Sequence, residues 1–168
     1  MLIPLDAPDA VSAAAEPLED LLDDCNHVVS ICLLPVVPVA GMTPGHDHDR
    51  MKRLAQAVYD SGVSGHRIGT PVDPFESPQA WRSVLRHQVT DGFMQPANRY
   101  ADPDLRKPAE IRKAGELADG IADLIEAHLG LVRSSGDVSG PRTCDTWSRN
   151  LLLVTSDWAT ILYLGFSD

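Results

Sequence analysis

The chain has 168 residues, with 24 acidic against 14 basic side chains and a formal net charge of −10. That balance argues against a nucleic-acid binder or an anionic-membrane binder, which draw affinity from Lys and Arg; it permits attraction to a basic protein partner, the plainer expectation being an ordinary acidic, soluble cytoplasmic protein. The length suits one domain able to bury roughly 70% of the surface its unfolded form exposes, and 43% apolar but only 5% aromatic residues make the expected core aliphatic.

In chain order, residues 9–25 predict the first helix. Val11, Ala14, Ala15, Leu18, Leu21 and Leu22 recur at helical spacing, and Asp9 is placed to cap it. Pro17 sits inside this pattern, so the alternative is a helix that begins only there, with Glu16 at its cap. Glu16, Glu19, Asp20, Asp23 and Asp24 gather on the polar side. Such a face is ordinarily a solvated one; its functional reading is a docking surface for a basic protein.

His27 to Leu34 is β-branched and apolar on both parities, as in a strand covered on both faces. Pro35 and Pro38 should end its pairing near Leu34 or confine the continuation to a sheet edge. Asn26 to Gly45 holds no Asp, Glu, Lys or Arg, but its prolines and short apolar part make it unfit to span a bilayer. Residues 41–45 then form a turn or loop. Met51, Leu54, Ala55 and Val58 predict an amphipathic helix from about His48 to Ser61, with Gly62 as its stop.

Residues 63–76 leave room for at most a short strand at 66–72. Ser77-Pro78 reads as a cap and first helical position, followed by Trp81, Val84, Leu85 and Val89 on one face, with Gly92 closing the helix. Residues 93–106 are a long loop. The strongest helix spans about Pro108 to Val132, and Gly115 and Gly120 inside it suggest close approach of another element. Ser134 to Thr146 reads as a flexible Gly/Ser-rich connector. Two apolar runs, 150–155 and 158–166, around Ser156-Asp157 predict a β-hairpin with a four-residue turn, buried inside the sheet. The expectation is a single α+β domain over 1–168: a small antiparallel sheet (a strand near 27–34 plus the hairpin 150–166) packed against about four helices.

The densest concentration of side chains suited to chemistry is His46-Asp47-His48-Asp49. Imidazole nitrogens and carboxylate oxygens are zinc ligands, so His46, His48 and Asp49 are the candidate metal site of a small hydrolase or biosynthetic enzyme. The pattern His46-x-His48-x-Arg50-Met51 resembles the HxHxDH run of metallo-β-lactamase-like hydrolases, but Arg50 and Met51 stand where that family has Asp and His. The His-x-His pair is also similar to that of amidohydrolases, whose barrel needs about 250 residues. The His-Asp doublets resemble those of HD-type phosphohydrolases, which sit in a helical bundle. Against all three, Asp47 and Asp49 fall where a helix N-terminus attracts negative charge, which explains them without a metal. No cofactor is therefore predicted, zinc at this tetrad being the exception.

Cys25, Cys32 and Cys144 are odd in number and lack CxxC spacing, which fits a reducing, cytoplasmic setting. Cys25 and Cys32 read as small buried hydrophobes. Cys144 could act as a nucleophile only if His66 or His87 reached it. His128, on the apolar stripe of the long helix, reads as a core histidine. No nucleophile elbow, P-loop or dinucleotide fingerprint is present. In size, acidity and α+β layout the chain resembles the immunity proteins that bacteria make against their own toxins, and that resemblance implies an inhibitory protein docked on a basic partner. Trp158, Tyr163 and Phe166 are compatible with a homo-oligomer through the terminal hairpin as well as with core packing.

Overall fold

A computed structural model describes residues 4–23, 28–39, 48–63, 65–93, 108–141, 145 and 147–167. In chain order these form α1 (Ala7–Leu22), β1 (Val28–Leu33), β2 (Val37–Pro38), α2 (His48–Gly62), β3 (Asp73–Pro74), α3 (Ala80–His87), a π-helical turn (Gln88–Phe93), α4 (Pro108–Leu129), β4 (Ser134–Val138), β5 (Trp147–Val154) and β6 (Trp158–Ser167). The strands form one antiparallel sheet in the order β1-β6-β5-β4-β3, with β2 continuing the β1 edge against β6. This is the α+β domain expected from the pattern of elements. No helix among the described residues is long and apolar enough to cross a membrane.

The terminal hairpin is the centre of the sheet. Alternation puts two apolar sets on opposite faces of β5 and β6, and helices cover both. On one face Val29, Ile31, Leu33, Leu151, Leu153, Leu162, Leu164 and Phe166 meet the stripes of α1, α3 and α4. On the other, Leu152, Val154, Ala159 and Ile161 meet Met51, Leu54, Ala55, Val58 and Tyr59 of α2. Trp158, Ala159 and Ile161 are buried, so core packing accounts for much of this hairpin's apolar surface. The ladder ends at Val154 and Ala159, leaving a four-residue turn. Thr155 Oγ1 accepts the Trp158 N–H at 3.0 Å there, so the turn needs no glycine.

Several boundaries differ from expectation. α1 runs through Pro17 and begins at Ala7, with Asp9 in its first turn rather than at its cap. Ala7, Val11, Ala15, Leu18 and Leu22 are all fully buried on one stripe. Burial of that stripe, at about 1.5–3 kcal/mol for each large side chain, outweighs the ~3 kcal/mol of an interior proline. Pro38 continues the edge against Trp158, where its missing N–H costs no ladder bond.

Ser77 shapes a turn ahead of α3 rather than capping it directly: its carbonyl accepts the Ala80 N–H at 3.1 Å, and its hydroxyl the Gln79 N–H at 3.2 Å. α4 stops at Leu129 rather than Val132, because Gly130 adopts φ 86° and its N–H closes on the Glu126 carbonyl at 2.9 Å. The short strand falls at Asp73–Pro74, just past the expected 66–72. Ser134 to Val138 is a strand, not a flexible connector. β5 pairs with it on one side and β3 on the other, and Gly136 lets the Asp73–Pro74 backbone approach closer than any Cβ would allow.

Phe93, expected to open the loop at 93–106, is instead the buried end of the π-helical turn; the rest of that loop lies outside the described residues, as do the turn at 41–45, His27, Cys25 and Cys144.

Candidate functional site

α1 presents two kinds of carboxylate. Glu16 and Asp20 are exposed. Half-buried Glu19 and exposed Asp23 bond the neighbouring strand: Glu19 Oε1 accepts the Ile31 N–H at 2.7 Å and Asp23 Oδ1 the Val29 N–H at 2.8 Å. Leu34 donates its N–H to Ile161 of β6, so alternation turns the amides of Val29 and Ile31 outward, away from the sheet. The two carboxylates therefore stand where the carbonyls of a further strand would stand. They blunt an edge that would otherwise template association. Asp24 lies outside the described residues.

Burial pushes the Glu19 carboxyl above its ordinary value. The Ile31 N–H opposes that shift, while Asp23, Glu16 and Asp20 add to it. No Lys or Arg occurs on α1, and among the described residues no ion pair to Lys or Arg reaches Glu16, Glu19, Asp20 or Asp23.

The acids of α4 are treated differently. Arg82 of α3 reaches Asp123 at 2.7 Å and Glu126 at 2.5 Å, and Arg86 pairs with Asp119. Burial alone would raise the Glu126 carboxyl. Hydrogen bonds from Arg82, Gln79 and the Val132 N–H outweigh it, so Glu126 ends below its ordinary value. Gly115 is placed for this junction, because a Cβ there would stand 2.8 Å from the Arg86 guanidinium. Gly120 has open space around it and no such role.

Of the metal candidates, His46 lies outside the described residues, as does Asp47. His48 is the first residue of α2 and exposed, with Nδ1 3.3 Å from the Val72 carbonyl oxygen. Asp49 follows in the first turn, where negative charge complements the helix dipole. Among the described residues, no three His, Cys, Asp or Glu side chains converge on a point that could hold a metal. The other histidines have local partners: His66 Nε2 lies 3.1 Å from the Ser139 carbonyl oxygen, His87 2.7 Å from Asp91, and His128 3.8 Å from Asp6.

The sequence did not disclose a polar cluster on the sheet face beyond α2. There the cross-strand row Val138, Asn150, Tyr163, Cys32 runs from β4 to β1, with Ser148, Gly165 and Ser30 beside it. Buried Tyr59 donates its hydroxyl to Asn150 Oδ1 at 3.1 Å, and Tyr163 donates to Asp145. Cys32 is half-buried rather than enclosed; burial, then Glu19 and Asp145, pushes its thiol up, away from the reactive thiolate. The alternation of small polar with branched apolar residues in Val29-Ser-Ile-Cys was the available signal; Ser148-Arg-Asn, polar on both parities, carried none.

Compared with known proteins, the chain matches no family profile, no curated sequence and no solved structure.

Proposed function

We propose that this chain is a binding or inhibitory protein that docks a basic protein partner through α1, with Glu16, Asp20, Glu19 and Asp23, and Asp24 beyond them, as the recognising carboxylates. The observation that carries this reading is the contrast between two helices of one molecule. Arginines of α3 close Asp119, Asp123 and Glu126 of α4, whereas α1 has no cation of its own and meets none from the described residues. Like charges on one rigid face repel each other slightly, and they speed and orient the approach of a cationic surface.

The test is capture from the native host with the full chain as bait, at low and then high salt. A stoichiometric basic protein retained at low salt and lost by the Glu16→Lys/Asp20→Lys variant is expected. Recovery of no such partner under either condition would sink the reading.

A second reading, a small metal-assisted enzyme using His46, His48 and Asp49, draws on one contact. When His48 donates its Nδ1–H to the Val72 carbonyl, Nε2 keeps its lone pair, an arrangement common among metal-bound histidines. Metal analysis of untagged protein decides it: stoichiometric zinc lost in His48→Ala supports it, and protein without metal removes it.

A further inference from the structure

The outward amides of Val29 and Ile31 belong to adjacent same-face residues of β1, about 6.8 Å apart along an extended strand. That is the spacing at which alternate carbonyls of an added strand would meet them. In the isolated chain their acceptors are carboxylates, whose charge-assisted bonds are stronger than backbone ones, so the exchange is favourable when the freed carboxylates meet cations.

The geometry points to strand addition at the β1 edge by an extended basic segment of the partner, with Glu19 and Asp23 passing from the amides to that segment's lysine or arginine side chains. This rests on the docking reading above and gives the partner a shape as well as a charge.

The surroundings fit such an occupant. On the face toward α1 the segment would run beside Glu16, Glu19, Asp20 and Asp23, so every second residue should be basic. On the opposite face it would border Ser30 and Cys32, small and half-buried, which leaves room for compact apolar residues. Pro35 and Pro38 limit the usable edge to about six residues, one short strand. The buried, like-charged setting of Glu19 makes a cation there doubly favourable, since it relieves both the burial and the repulsion.

The probe is a blocked octapeptide of alternating lysine and valine, titrated into the full-length protein at low ionic strength. Its control is the same peptide with every lysine amide N-methylated. In antiparallel addition, the mode of every pairing described in this sheet, lysine side chains toward α1 put the lysine backbone amides toward β1, so methylation removes the ladder and keeps the charge. The unmethylated peptide should bind at least about tenfold more tightly than the methylated one. Glu19→Gln/Asp23→Asn should weaken its binding by a similar factor.

Amide exchange supplies an independent readout. In Glu19→Ala/Asp23→Ala, protection at Val29 and Ile31 should be lost in the free protein and regained with peptide. Equal binding of the two peptides, or no recovery of protection, overturns strand addition while leaving side-chain docking standing. No binding of either peptide overturns strand addition as well. The docking reading itself is decided separately, by capture from the host.

Discussion

Gly62 and Gly120 look alike in the sequence, each a glycine in helical context, yet they answer to different physics. A Cβ on Gly62 would stand 2.6 Å from the Pro35 ring, which cannot swing aside. Gly62 is therefore a place of close approach between α2 and the β1–β2 edge, beyond the helix stop that its position suggested. Gly62→Ala should destabilise by about 1–3 kcal/mol despite alanine's better helix propensity. Gly120→Ala, with nothing within 4 Å, should stabilise by up to about 1 kcal/mol. Urea midpoints of the two variants check both signs.

Glu19 and Glu126 make a similar contrast in titration. Glu19 in the fold lies above its ordinary value of 4.5, so the stability it contributes is fully present below that value and is lost as pH rises through the folded one. Glu19→Gln keeps the acceptor for Ile31 without the charge. It should be more stable than the parent at pH 7, with the difference closing on acidification. Glu126 lies below its ordinary 4.5, so its contribution is present above that value and fades as pH falls through the folded one. Glu126→Gln should accordingly be less stable at pH 7 and converge with the parent in acid. Denaturation across that pH range reads both; the same sign for both substitutions would refute the account.

Among elements, those with an apolar stripe were legible: α1, α2, α4, β1 and the β5–β6 hairpin sit within a few residues of where spacing put them. β4 was not, because Ser134-Ser-Gly-Asp-Val has no period of its own and is a strand only by virtue of β5 and β3 on either side. The π-helical turn at Gln88–Phe93 left no signal either. The acidic face was legible as a set of charges. That Glu19 and Asp23 hold β1 amides was not, since it depends on β1 being an edge beside the end of α1. Pro17 tests how far tertiary burial can override a local rule. It is exposed on a helix whose opposite stripe is buried, so Pro17→Ala should restore a backbone bond and raise stability by about 1–3 kcal/mol. A lower thermal midpoint for this variant would mean that the helix bends to suit the proline.

At the scale of the whole molecule, the charge is distributed as unevenly as it is totalled. The helices α3 and α4 pair their charges across their junction, whereas α1 carries four carboxylates, Asp9, Glu16, Glu19 and Asp20, and no cation. The topology is as uneven in another respect. β6 pairs with β5 beside it in sequence, but also with β1, about 130 residues earlier, so refolding should fall in the slow range of milliseconds to seconds set by long-range pairing. Stopped-flow refolding measures it, and microsecond refolding would contradict the sheet order.

This order of pairing also has a meaning in time. During synthesis at about 5–20 residues per second, β1 emerges several seconds before the strand that will complete it. Glu19 and Asp23 are only 12 and 6 residues from the amides they hold. The acceptors for two amides on the outer side of β1 are thus made just before it, while the strand that pairs its inner side is still to be translated.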